Sequence, residues 1–220
     1  MRSRLEVCDS ANGMSSSSVP DYWDQAKQDL SSDLVLSRLF SKFDGSILSS
    51  DGNLFRALVV SIVGQQISVI AARAVRERLE SLVGEMSPES ILARSHEELR
   101  SCGLSGMKSE YISGLARAWT EGYQDIDWGS LTDEQAKIML TDLRGVGVWT
   151  AEMVLIFALL RPDVLPLTDI GLIRAMEKQY SDGREMSTEQ IEAISDNWAP
   201  WRTVATWYLW RSIDPEPVQY

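Results

Sequence analysis

The chain has 220 residues, a formal net charge of −11, 44% hydrophobic and 24% charged residues, two cysteines and one histidine. That length allows one large domain or two small ones and is enough to bury a core. Cys8 and Cys102 form no Cys-x-x-Cys pair, which excludes a disulfide framework, a zinc site and a four-cysteine iron–sulfur cluster.

His96 lies in the polar run Arg-Ser-His-Glu-Glu and reads as a solvated surface residue, leaving a His-based metal site or a Ser-His-Asp triad little to draw on. The negative charge counts against nucleic acid, because phosphate neutralisation supplies most of the affinity of DNA-binding domains. It is unevenly spread. Residues 121–142 hold six acids and one lysine and read as a solvated face, whereas Arg73, Arg76, Arg78, Lys108, Arg144 and Arg202 lie near the motifs below and can build a local basic surface.

Residues 1–18, with four consecutive serines and little apolar content, read as a disordered tail. Residues 21–43 read as helical, with Tyr22, Trp23, Ala26 and Leu30 on one stripe and Leu34, Val35 and Leu39 on another, separated by a cap at Ser32-Asp33. Residues 54–83 split into two helices. Phe55, Leu58, Val59, Ile62 and Val63 form a face ending at Gly64, and Ser68 caps a second helix carrying Ala71, Ala72, Val75 and Leu79.

Gln65 and Gln66 fall at the corner between those two, where amides can bond exposed backbone. Ser87-Pro88 starts another helix as cap and first position. A second glycine-containing connection, Cys-Gly-Leu-Ser-Gly-Met-Lys, spans residues 102–108. A helix follows it with Ile112, Leu115, Ala116 and Trp119 on one face.

Leu-Arg-Gly-Val-Gly over residues 143–147 is a tight turn that leads into an apolar helix of residues 148–160. The longest uninterrupted apolar run, residues 153–160, is too short to cross a bilayer and reads as buried. A Gly-x-Gly turn serves equally as a glycine-capped helix connection or as an anion site at a helix N-terminus. A Pro-bounded loop over residues 161–167 delivers Thr168-Asp169 to the next helix, where Asp169 reads equally as an N-cap or as a functional carboxylate. The run from Trp198 to Trp210 holds four of the eight tryptophans; Trp201 and Trp207 read as core. No segment alternates in the manner of a strand, so an all-α protein is expected.

Three stretches together resemble the helix-hairpin-helix DNA glycosylases, specifically the alkylpurine branch of DNA-3-methyladenine glycosylase II. They are Leu-Arg-Gly-Val-Gly-Val-Trp-Thr-Ala with Asp169 beyond, Gly-Gln-Gln-Ile-Ser at residues 64–68, and Pro-Trp-Arg through Trp210; the likeness spans residues 20–211. It implies a two-lobed helical bundle over residues 19–220. The central helices at 45–145, with the hairpin at 143–147, form one lobe, and residues 20–44 and 146–211 form the other. Larger members begin with a small β-rich domain, for which too few residues precede Asp21.

The resemblance also implies roles. Asp169 becomes the catalytic carboxylate, Trp149 and Trp210 line the base pocket, and Gln66 is the wedge inserted where the damaged base is flipped out. Gly145, Gly147 and Arg144 contact DNA phosphates, Arg144 standing where the family more often has proline. Main-chain carbonyls of Thr141, Leu143 and Val146 hold a structural Na+ or K+, and no cofactor is required.

Bifunctional members carry a Schiff-base lysine two residues after the second hairpin glycine; here that residue is Trp149, which implies a glycosylase without lyase activity. A cationic purine leaves easily, so a site without histidine suffices. The expected partner is double-stranded DNA holding a damaged base, with no membrane, and the protein acts as a monomer. It would work in the cytoplasm at the nucleoid of a bacterium or in the nucleus of a eukaryote. Two alternatives stay open: the same fold acting on a deaminated or oxidised base, and a non-catalytic helix-hairpin-helix DNA-binding module.

Overall fold

The computed structural model describes residues 18–214; of the expected tail at residues 1–18, residues 1–17 lie outside them, and Ser18 is not loose but paired with Ser50. The described chain is helical, and its one bridge outside helices pairs Ser18 with Ser50. Among the described residues no helix is long and apolar enough to cross a membrane.

Short polar residues set the helix starts. Asp33 accepts the Val35 and Leu36 N–H groups to open α2 (Leu34–Lys42), after α1 (Trp23–Asp29) and a 3-10 turn. Asn53 opens α3 (Leu54–Gly64) and Ser68 opens α4 (Val69–Val83). Capping boxes begin α5 (Pro88–Leu92) at Ser87 and α6 (His96–Ser101) at Ser95, satisfying two orphan N–H groups each. Ser105 caps α7 (Gly106–Thr120) and Thr132 caps α8 (Asp133–Thr141).

In α2 the buried face is Leu36, Leu39 and Phe40, while Leu34 is 84% exposed. The expected stripe through Leu34 and Val35 is therefore rotated, because Leu34 sits at the first position beside the cap, outside the packed turn.

α9 (Val148–Phe157) is apolar on all sides and buries seven residues, the pattern of a helix surrounded by others. It ends three residues before the expected stop at residue 160. Leu160 adopts φ 52°, the Arg161 N–H turns back to the Leu155 carbonyl at 2.8 Å, and the Tyr22 hydroxyl takes the Leu160 carbonyl at 2.8 Å. Pro162 disfavours helical backbone at Arg161, so the helix does not resume after this turn.

α10 (Ile170–Tyr180), α11 (Thr188–Ser195) and α12 (Arg202–Ile213) complete the chain. α3 packs against α4, α7 and α9, and α9 also packs on α8. α12 packs against α10, α2 and α1, with Trp23 set edge-on to Trp207 at 5.4 Å. Asp33 ties the two ends of the chain, since its Oδ2 accepts the Tyr180 hydroxyl at 2.8 Å and the Trp198 indole at 3.2 Å.

Trp207 is buried as expected, but Trp201 is only half-buried. It sits at the corner preceding α12, where it stacks on Tyr22 and donates its indole N–H to Asp29 at 2.8 Å.

Candidate active site

The hairpin is the turn between α8 and α9. Gly145 has φ 92°, and a Cβ built on it would lie 2.4 Å from the Tyr111 ring, so both backbone and space demand glycine. Gly147 has an ordinary φ of −92° and open space where its Cβ would stand. It precedes α9 without any side-chain cap, so the first N–H groups of that helix point outward at the positive end of the helix dipole.

Gln65 fastens the turn from the other side. Its Nε2 donates to the Gly145 carbonyl at 3.0 Å and to Thr150 Oγ1 at 3.1 Å. Gln66, beside it, takes φ 58° and is exposed. The two amides thus separate: Gln65 is structural, and Gln66 is turned outward. Gln65, Gln66, Tyr111, Gly145 and Gly147 share the wall of a hollow of about 380 Å³ in front of the hairpin.

The larger cavity, about 470 Å³, lies between α3, α4, α9, α10 and α12. Aromatic and aliphatic side chains line it, among them Val63, Trp149, Met153, Phe157, Trp207 and Trp210. Asp169 sits in its wall as the N-cap of α10, half-buried. Its Oδ1 accepts the Leu172 N–H at 2.7 Å and the Trp210 indole N–H at 2.8 Å, while Oδ2 accepts the Trp149 indole N–H at 2.8 Å. Trp210 in turn lies flat on Phe157, ring centres 5.7 Å apart and planes 13° apart. The structure therefore brings Asp169, Trp149 and Trp210 together and joins them by hydrogen bonds.

Gly171, which sequence reasoning passed over, makes this possible. A Cβ there would come within 2.9 Å of Asp169 Oδ1 and 3.3 Å of the Trp210 ring. Its signal was present as a glycine in the first turn of a helix, where its low helix propensity calls for a reason.

The cations divide differently from expectation. Lys108 turns inward and donates to the Val63 and Gln65 carbonyls, each at 2.7 Å, closing the C-terminus of α3. Burial pushes its ammonium below the ordinary lysine range. Arg78 donates to the Cys102 carbonyl at 2.8 Å, and Arg202 grips Asp163 through two bonds of 2.6 and 2.7 Å. These three hold the fold.

Arg144 stays 76% exposed beside the hairpin, over the Tyr111 ring and 3.4 Å from Glu110. Arg73 and Arg76 line the large cavity, joined there by Arg174 and Arg211 from the C-terminal helices, which the sequence did not single out. Arg73, Arg76, Arg174 and Arg211 share that wall with Asp169 and Asp214, and Arg76 also lies 4.0 Å from Glu80.

Glu152 on α9 is a further carboxyl the sequence did not single out. Burial, reinforced by the charge of Asp169 and opposed by Lys137, pushes it up to about 7.

A glycine hairpin feeding a buried helix, with a carboxylate at the wall of an aromatic cavity beyond it, is the arrangement that the resemblance to helix-hairpin-helix proteins implies. The chain belongs to the HhH-GPD superfamily of base excision DNA repair proteins, whose family profile matches residues 59–200. DNA-3-methyladenine glycosylase 1 of Schizosaccharomyces pombe is 30% identical over 163 residues, 72% of this chain and 72% of that protein. DNA-3-methyladenine glycosylase of Saccharomyces cerevisiae is 31% identical over 194 residues, 71% of this chain and 66% of its relative's length. The solved structure of the Schizosaccharomyces pombe 3-methyladenine DNA glycosylase with abasic DNA superimposes with a TM-score of 0.76 at 28% identity, covering 86% of this chain and 96% of that one.

Proposed function

We propose that the chain is a monofunctional DNA glycosylase that hydrolyses the N-glycosidic bond of alkylated purines, of the 3-methyladenine type, in base excision repair. The observation that carries this reading is Asp169, held in the wall of an aromatic cavity large enough for a purine, one helix away from the hairpin.

The hairpin holds the duplex backbone by the N–H groups around Gly145 and Gly147, with Arg144 beside them. Gln66 enters the stack as the damaged nucleotide leaves it. The base lodges against Trp149 and Trp210, and the negative charge of Asp169 faces the sugar as it acquires oxocarbenium character. No amine stands at Trp149 to attack the sugar, so the product is an intact abasic strand. The protein works as a monomer on double-stranded DNA, at the nucleoid of a bacterium or in the nucleus of a eukaryote.

A monovalent cation fits the hairpin carbonyls. Among the described residues those of Thr141 and Val146 accept no hydrogen bond, and that of Leu143 accepts one, from the Val146 N–H at 3.0 Å. A bound Na+ or K+ would supply positive charge toward a phosphate there.

Release of free 3-methyladenine from methylated duplex DNA, compared between wild type and Asp169→Asn, tests the reading. Release by wild type alone, without strand nicking, is expected; equal release by the variant removes Asp169 from the chemistry. A second reading keeps the fold and takes a neutral base such as hypoxanthine, which the exposed Arg174 in the cavity wall would not repel. Competition between the two duplexes decides between them.

A further inference from the structure

Trp149 and Trp210 do more than offer ring faces. We propose that both are positioning residues that act through their indole N–H groups and hold the Asp169 carboxylate in one orientation. The inference rests on the glycosylase reading above.

A carboxylate offers about four lone-pair sites. Three are taken here, by donors from three different helices: Trp149 on α9, Trp210 on α12 and the Leu172 N–H of α10. An N-cap needs only the last of these. The two indoles are additional, and each approaches a different oxygen, which fixes the plane of the carboxylate against the cavity. A charge oriented in advance stabilises a developing cation without reorganising at the moment of reaction.

Asp33 supplies an internal comparison. It too caps a helix and accepts a tyrosine hydroxyl and a tryptophan indole. Asp33 does not line the large cavity, so its donors serve the fold alone. The two clusters share their chemistry and differ in what they face. Gly171 adds a second line of support, since its missing Cβ lets the Trp210 N–H reach Asp169.

The test replaces Trp149 or Trp210 with benzothienylalanine, which keeps the ring but substitutes sulfur for the N–H. Single-turnover release of 3-methyladenine and binding to an abasic duplex are then measured. Each replacement is expected to lower kcat about tenfold, the worth of one hydrogen bond to a charged group, with abasic-DNA affinity within about twofold of wild type. Gly171→Ala, whose Cβ would crowd both Asp169 Oδ1 and the Trp210 ring, is expected to lower kcat as well. The same isostere at Trp198 should lower stability and leave kcat unchanged.

Isosteric proteins as fast as wild type overturn the positioning role. A wild type that binds DNA yet releases no alkylated base would sink the underlying reading instead.

Discussion

Tyr111 occupies the space that a side chain at position 145 would need: a Cβ on Gly145 would meet its Cγ and Cδ2 at 2.4 Å. This contact places the hairpin against α7, and the left-handed backbone at Gly145 adds a second demand for glycine. Gly145→Ala should therefore cost about 2–4 kcal/mol, combining left-handed strain with overpacking. Gly147→Ala should cost about 1 kcal/mol or less while weakening DNA binding, because its methyl would stand where a phosphate approaches the open N-terminus of α9. Urea unfolding and duplex binding of the two variants separate these effects; equal loss of stability would refute the distinction.

Glu152 gives the fold a dependence on pH. Its carboxyl is pushed up to about 7 when folded, above the ordinary 4.5, mainly by burial. Between those two values the folded state holds more protons than the unfolded state, so stability falls as pH rises through that window. Glu152→Gln removes this slope. Because the side chain is partly exposed, the gain at pH 8 is roughly 1 kcal/mol after allowing for solvent screening, with little gain at about pH 4.5. Thermal unfolding at both pH values checks it, and an unchanged slope in the variant would exclude Glu152 as the source.

Lys108 is an anchor for α3, with its ammonium on the carbonyls of Val63 and Gln65. Lys108→Met should lower stability by about 1–3 kcal/mol, since two carbonyls at a helix end lose a charged donor. The dependence of DNA affinity on salt should stay as in wild type. A flatter salt dependence would instead make Lys108 a phosphate ligand.

That lysine also marks the limit of what the sequence reveals. Caps and apolar periodicity made the helices and their starts legible, because Asp33, Ser68 and Ser87 act on backbone within three residues of themselves. The hairpin and Asp169 were legible through the pattern of neighbouring residues. Long side chains were not. Lys108 and Gln65 reach partners 45 and 80 residues away, and proximity to a motif in sequence says nothing of where a flexible stem ends. The bonds from Trp149 and Trp210 to Asp169 join residues 20 and 41 positions apart, so the indole N–H groups had no visible acceptor until the helices were packed. The rotated face of α2 and the half-buried Trp201 are likewise decided by neighbours distant in sequence.

The sorting of cations yields the last prediction. Arg144 is exposed beside the hairpin, its pairing with Glu110 spans two solvent-facing side chains, and such pairs are readily exchanged. Arg174 is exposed at the wall of the large cavity. On the proposed reading each neutralises one phosphate, and each such contact releases about 0.9 counterion. Arg144→Ala and Arg174→Ala should each reduce the slope of log affinity against log salt by about 1 and weaken binding to any duplex alike. Arg202 differs, because Asp163 takes both arms of its guanidinium, and this pairing holds the Asp163 carboxyl below its ordinary range. Arg202→Ala should destabilise the fold by about 1–3 kcal/mol and leave the salt slope intact. Titrations of one duplex at several salt concentrations, with urea unfolding alongside, distinguish the two groups. An Arg202 variant that flattens the slope would mean that the ion pair opens to receive DNA.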